Sequence, residues 1–354
     1  MRIGRLELKV PVVLAPMAGV TNAPYRALCR SFGQALYVSE MISARGVLEN
    51  NKKTLHLASF FPDEHPKSLQ LFAKEPQVLE KAARILTDQG IEHLDLNLGC
   101  PVRKLTATGG GSALPYKQRR LKRLLAAFRR GAPQQNLSIK IRLGIDEDHL
   151  TWRETGRIAQ EEGMDAVALH GRTAAQLYDG EADWDPIAEL SASLRIPVLG
   201  NGDLFDASDA LLRMRQTGCA GVVIGRGCLG RPWLFRELEA LFSGHSPPPP
   251  PNFGEIKAII RRHGELLLQF FGPELGPRHL RKFAAWYTKG FPGTNHIRDQ
   301  LVRIKSLEEC LALMEHIPDD CPFPPRAIRA KRCKKGGRQR VALPPGWLDS
   351  RECE

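Results

Sequence analysis

A chain of 354 residues with 42% hydrophobic content can bury a full core and is long enough for one large domain and one small one, which excludes a wholly disordered polypeptide. The longest charge-free apolar stretch near the start, 10–25, is cut by Pro11, Pro16 and Pro24, so it cannot supply the roughly 20-residue helix a bilayer needs, and no membrane span is expected. The formal charge of +12 is concentrated: residues 102–131 hold nine Lys or Arg and no acid, and residues 321–354 hold nine against three acids. One such run is ordinarily a solvated helix face, but two together point to a polyanionic partner.

In chain order, the first apolar run is 10–16, preceded by Arg2 and Arg5. That pattern can mimic a signal peptide, but the prolines interrupt it, and a first strand is the expectation. Short β-branched runs recur at 35–40, 67–72, 93–98, 137–143, 166–171, 196–201 and 221–226. Amphipathic segments lie between them, for example 77–89, 118–130, 151–162 and 206–216, and Thr151-Trp-Arg-Glu154 reads as a capping box. Strand then helix, eight times over about 240 residues, predicts an α/β fold, a (βα)8 TIM barrel over residues 1–245. An open doubly wound sheet is the second choice.

A barrel packs its interior with apolar side chains and opens its site at the C-terminal strand ends. Polar or distinctive residues fall at those ends here: Pro16-Met17-Ala18, Glu40, Gln70, Asn97, Lys140, His170, Asn201 and Arg226. After the barrel, the proline tract within 246–253 predicts a stiff linker. Helical periodicity at 255–271, 278–289 and 295–316, with a capping-box pattern at Ser306-Leu-Glu-Glu309, predicts an α-helical bundle over 254–319. From 320 to 354 the chain is proline-broken, basic and poor in large apolar groups, the composition of a flexible tail.

The eight cysteines contain no C-x-x-C pair and fall at irregular spacings, which predicts reduced thiols in a cytoplasmic protein and no metal site. Cys29 and Cys219 read as small buried hydrophobes. Cys100 differs, because Asn97-Leu-Gly-Cys100-Pro-Val-Arg-Lys104 follows the fourth strand and presents one thiol on a rigid turn at the barrel mouth. Gly200-Asn-Gly-Asp203 and Gly225-Arg-Gly227, after strands seven and eight, place backbone amides and a guanidinium where barrels hold phosphate. There is no G-x-x-x-x-G-K-[ST] loop and no strand-linked G-x-G-x-x-G, so nucleotide hydrolysis and a Rossmann site lose support. A flavin mononucleotide suits the pattern. Lys140 inside Ser-Ile-Lys-Ile-Arg-Leu is poorly explained as a surface lysine, whereas His170 alone could equally be a satisfied core histidine.

Over about residues 8–317 the chain resembles the tRNA-dihydrouridine synthases, nearest the bacterial B-type branch. The resemblance rests on Ala15-Pro-Met-Ala-Gly-Val-Thr21, Gln70-Leu, Asn97-x-Gly-Cys-Pro-x-x-Lys104, Lys140-Ile-Arg142, His170-Gly-Arg-Thr173, Asn201-Gly-Asp203, Gly225-Arg226 and Trp286-Tyr-x-Lys-Gly-x-Pro-Gly293. It implies reduction of the 5,6 double bond of a uridine in tRNA, with hydride from reduced FMN to carbon 6, a proton from Cys100 to carbon 5, and NADPH as reductant. An unperturbed thiol is protonated at neutral pH, as a general acid must be. Arg103 and Lys104 would lower the thiol pKa if they faced it, so they are expected to face RNA.

By the same resemblance Pro16, Met17 and Ala18 line the flavin ring, Gln70 reads its pyrimidine edge and Lys140 meets its electron-rich side. His170, Asn201, Gly202, Asp203, Gly225 and Arg226 take the ribityl and phosphate groups. Asn97, Lys104, Arg172, Arg281, Lys282 and Lys289 are the expected RNA contacts, with a base extruded from its stack. The chain departs from the family at Ala73, at the triplet Gly109-Gly-Gly111 and at Phe283. Monomeric action is expected. Rival readings are the same reaction on ribosomal RNA, a flavin barrel acting on a free pyrimidine, and an inactive RNA-binding protein on this scaffold.

Overall fold

A computed structural model describes residues 1–330, 332 and 337–351. Eight parallel strands close into a barrel: β1 (Val12–Leu14), β2 (Leu36–Ser43), β3 (Ser68–Phe72), β4 (His93–Asn97), β5 (Asn136–Arg142), β6 (Ala166–His170), β7 (Val198–Asn201) and β8 (Gly221–Ile224). Closure is made by β8 against β1, with Val222, Val223 and Ile224 opposite Val12, Val13 and Leu14. All eight predicted runs are strands. The open-sheet alternative falls with the β8–β1 pairing. A short antiparallel pair, Arg2–Ile3 with Leu6–Glu7, precedes the barrel, and buried Ile3 joins the apolar cluster of its interior.

Helices such as Pro76–Asp88, Gln118–Gly131 and Ala207–Thr217 cover the outside, each turning leucines or alanines inward. The predicted capping box at Thr151 does not form: Thr151 makes no side-chain cap, and its carbonyl accepts the Thr155 hydroxyl at 2.7 Å instead. The basic helix Gln118–Gly131 spends part of its charge on neighbours, with Arg129 paired to Asp165, Arg130 to Glu80 and Lys122 to Glu162.

The interior is less apolar than expected. Val13, Val38, Ala168, Leu199 and Val223 fill one part of it, but Ser68, Gln70, His93, Asp95 and Ser138 are also buried there. Burying polar groups is tolerable only when they satisfy one another, and these do. His93 bridges the Ser68 hydroxyl at 2.7 Å and the Ser138 hydroxyl at 3.0 Å, Ser138 donates to Asp95, and Gln70 Nε2 donates to Asp95 at 2.6 Å.

Beyond the barrel, one long helix runs Phe253–Tyr287, interrupted at Gly272, where φ of 77° and the following Pro273 break the ladder between the two predicted helices. Its start is a capping box that sequence reading missed: Glu255 N donates to Asn252 Oδ1 at 3.0 Å and Asn252 N to Glu255 Oε2 at 2.8 Å. The predicted 295–316 helix is two short ones, Arg298–Leu301 and Leu307–Ala312, the second capped by Ser306. Phe283 stacks on Tyr25 at 5.2 Å and meets His263 edge-on at 4.5 Å, which seats the helical part on the barrel helix Ala23–Arg30. That family departure is therefore part of a packing cluster.

The described part of 320–351 corrects the expectation of a flexible tail. Arg332 is buried and donates to the Trp286 and Ala327 carbonyls, and residues 337–351 lie along the barrel mouth, where Gln339 and Trp347 make hydrogen bonds to barrel loops. Composition registers charge and proline but not backbone hydrogen bonds, which here anchor the segment. Cys333 and Cys353 lie outside the described residues. Among the described residues no helix is long and apolar enough to cross a membrane, and no group of three His, Cys, Asp or Glu is placed to hold a metal ion.

Candidate active site

The C-terminal strand ends surround a cavity of about 460 Å³. Every residue expected at the flavin contributes to its wall: Pro16, Met17 and Ala18 after β1, Gln70 on β3, Lys140 on β5 and His170 on β6, then Asn201, Gly202 and Asp203 after β7 and Gly225 and Arg226 after β8. Cys100 and Asn97 line the same space, and Trp286 closes it from the long helix.

Asn97 organises the turn that carries the thiol. Its Oδ1 accepts from Gly99 N at 3.2 Å and Cys100 N at 2.9 Å, while its Nδ2 donates to Gln70 Oε1 at 2.8 Å. The turn is thereby tied through Gln70 to Asp95 inside the barrel. Burial pushes the Cys100 thiol above its ordinary pKa, against the opposing pull of the Val102 N–H and the Arg142 charge. The side chain therefore keeps its proton at neutral pH.

Opposite lies a cluster of cations. Lys140 Nζ donates to Asn201 Oδ1 at 3.0 Å, and burial together with the Arg142 charge lowers its pKa to about 8. Burial and then the charges of Arg142, Lys140, Arg172 and Arg226 hold His170 well below the usual imidazole value, so its ring is neutral. Its Nε2 is buried with no hydrogen-bond partner. Asp203 accepts from Arg172 at 2.6 Å and from Arg226 at 2.7 Å, so two guanidinium groups share one carboxylate and one positive charge is left over.

The expected RNA contacts divide. Lys104 is exposed on the short helix Arg103–Thr106 beside Cys100. Arg172 is turned inward: its side chain is 1% exposed and donates to Asp203 and to the Asp179 and Gly180 carbonyls. Lys282 donates to the Gly19 carbonyl, while Gly19 N donates to buried Glu40, so this lysine joins the helical part to the β1 loop. Arg281 is half-buried and donates to the Ile304 carbonyl at 2.9 Å, and Lys289 is half-buried. These inward contacts are invisible in a sequence, where a lysine on a helix reads as solvent-facing.

Sequence reading did not assign Arg142 or Tyr178 to the site. Arg142 lines the cavity and donates to the Gly99, Thr173 and Leu177 carbonyls, and its guanidinium lies 5.7 Å from the Tyr178 ring. Arg142 was legible in principle, since it follows Lys140 by two on the same strand and so faces the same way. Tyr178 lies in an irregular loop and left no such signal.

The family described as Dihydrouridine synthase (Dus) matches residues 13–321. Among curated relatives, a Mycobacterium tuberculosis protein named "Probable tRNA-dihydrouridine synthase" is 50% identical, the match covering 100% of this chain and 94% of the relative. A Xanthomonas campestris protein named tRNA-dihydrouridine synthase B is 38% identical, over 88% of this chain and 94% of that one. Among solved structures, histamine dehydrogenase from Rhizobium sp. 4-9 superposes with a TM-score of 0.54 at 12% identity, over 75% of this chain and 50% of that one. A DHODH from Eimeria tenella superposes with a TM-score of 0.51 at 11% identity, over 67% and 81% respectively. The structural likeness shows a shared barrel, and the sequence matches show more: the chain belongs to the dihydrouridine synthase family.

Proposed function

We propose that the protein reduces the 5,6 double bond of a specific uridine in tRNA, using FMN held in the barrel mouth and NADPH as reductant. The observation that carries this reading is the convergence of a protonated thiol and a cluster of basic groups on one cavity. The residues present fit FMN. His170 offers a buried, unpartnered ring nitrogen, Lys140 supplies a cation beside an electron-rich ring, and the uncompensated charge of the Arg172–Asp203–Arg226 group suits a phosphate. Gly202, at φ of 141°, passes so close to Ala182 that a side chain would overlap it, which keeps the β7 turn flat against the cavity.

Held by these residues, FMN would supply the hydride chemistry needed at carbon 6 of the uracil. The chain's own residues do the rest. Cys100 gives its Sγ proton to carbon 5, and the charge of Arg142 steadies the thiolate that remains until solvent returns a proton. Asn97 holds the Cys100 turn, and Lys104, with Arg281 and Lys289 on the helical part, engages the RNA backbone. The working unit in this reading is a monomer, acting on tRNA in the cytoplasm.

Reconstitution with FMN followed by NADPH tests the reading. Dihydrouridine is expected with a tRNA transcript and not with ribosomal RNA, uridine or orotate. A protein that takes up no FMN refutes it, and turnover of the free pyrimidines alone favours the small-molecule barrel.

A further inference from the structure

The segment 337–351 lies beyond the span matched by the family, and it grips the loop that carries Cys100. At one end of that loop, Gln339 Nε2 donates to the Pro101 carbonyl at 3.1 Å and to the Ala174 carbonyl at 3.2 Å, while Gln339 N donates to the Ala175 carbonyl at 2.9 Å. One side chain thus ties the residue after Cys100 to the loop after β6. At the other end, Trp347 Nε1 donates to the Ala113 carbonyl at 3.1 Å, Tyr116 Oη donates to the Leu348 carbonyl at 3.1 Å, and Gln118 N donates to the Arg351 carbonyl at 3.2 Å. Lys117 lies 5.2 Å from the Trp347 ring and donates to the Ser350 carbonyl.

The glycine triplet that departs from the family takes its meaning from this contact. Gly109 has φ of 74°, and a Cβ there would overlap the six-membered ring of Trp347. Gly111 has φ of 54°, and a Cβ there would overlap the Cys100 carbonyl oxygen, which also accepts from Ser112 N at 3.0 Å. The loop therefore presses Cys100 on its inner side and Trp347 on its outer side, at positions two residues apart. Asn97 braces the turn from within the cavity, and the C-terminal segment braces it from outside.

We propose that residues 337–351 form a built-in brace that sets the position of the Cys100 thiol, with Gln339 and Trp347 as positioning residues. The inference rests on the reading of Cys100 as proton donor. Proton delivery depends on sub-ångström placement, and a loop held at both ends keeps the thiol at its ordered position between turnovers.

The test uses the full chain loaded with FMN, in wild-type form and as Trp347→Ala, Trp347→Phe and Gln339→Ala. Alkylation of the Cys100 peptide by iodoacetamide is followed by mass spectrometry across pH, beside kcat and KM for tRNA and the FMN content. Trp347→Ala is expected to speed Cys100 alkylation and to lower kcat, each by roughly tenfold, with FMN content and KM near wild type. Trp347→Phe, which keeps a ring over Gly109, recovers most of the loss. Gln339→Ala removes only two hydrogen bonds and shifts both readouts the same way, which covers the case in which loss of the indole weakens folding. Wild-type alkylation and kcat in both alanine variants would overturn the brace. Alkylation reports loop position whatever Cys100 does chemically, so a fully active Cys100→Ala enzyme would sink the proton-donor reading while leaving the alkylation result to judge the brace.

Discussion

Gln70 donates from Nε2 to Asp95 Oδ2 at 2.6 Å, deep in the barrel, and this bond sets the direction of a relay that ends at Cys100. Because Asp95 accepts there, the Gln70 oxygen must face Asn97, whose Nδ2 donates to it and whose Oδ1 is left to receive the Gly99 and Cys100 amides. Asp95→Leu strands the Gln70 amide, while the Ser138 hydroxyl keeps His93, so a loss of about 1–3 kcal/mol is expected in denaturant titration. Asp95→Asn can accept from Gln70 and donate to Ser138, and a loss under about 1 kcal/mol is expected. Equal effects of the two substitutions would contradict the relay.

Lys140 carries a pH dependence whose sign follows from its environment. Its pKa in the folded protein, about 8, lies below the ordinary lysine value of 10.5, so between these values the unfolded chain binds more protons. The apoprotein should therefore gain stability from this group as pH rises from about 8 to 10.5 and lose it as pH falls through 8. The cation favours an anionic reduced flavin, so Lys140→Met should lower the midpoint potential of bound FMN and flatten its pH dependence on the alkaline side, where the lysine loses its proton. Spectroelectrochemistry at a series of pH values reads both effects, and an unchanged potential in the variant would rule out the role.

Arg172 anchors Asp203, a residue of the cavity wall, without lining the cavity itself. Arg172→Met leaves Asp203 with Arg226 and the Ala182 N–H as partners and frees the carbonyls of Asp179 and Gly180, both exposed residues. Because Asp203 keeps those partners and is 26% exposed, the cost in stability should be only about 1 kcal/mol. FMN affinity should fall as well, since the Arg226–Asp203 pair left behind carries no spare positive charge. Isothermal titration with FMN beside chemical denaturation checks both, and an RNA-binding defect with intact stability would restore Arg172 to the RNA surface.

The exposed pair Arg103 and Lys104 beside Cys100 should act on RNA through charge. Replacing both by alanine is expected to weaken tRNA binding several-fold and to reduce the slope of log Kd against log salt by about one per residue. Filter binding over a salt series measures this, and a slope equal to that of the wild type would place the RNA elsewhere.

The legible parts of this molecule were those encoded in local pattern. Eight apolar runs ending in polar residues defined the barrel and one contribution to the cavity wall from almost every strand, because in a parallel barrel the strand end is the site. Thr151 failed as a cap because its backbone, at φ −134° and ψ −9°, lies outside the extended form in which a cap side chain meets the first helix amides, and no four-residue pattern encodes that. Lys282 and Arg172 were assigned to RNA by charge and motif, yet their partners are a carbonyl 263 residues away and a carboxylate 31 residues away. The tail was misjudged for the same reason: Trp347 and Gln339 are anchored by backbone carbonyls of distant loops, which composition does not register.

Mapping dihydrouridine in tRNA from cells lacking this gene tests the central claim most directly. At one or a few positions, uridine should appear where dihydrouridine stood, restored by the wild-type gene and not by Cys100→Ala, which should still purify with FMN. A dihydrouridine pattern untouched by the deletion would contradict the account.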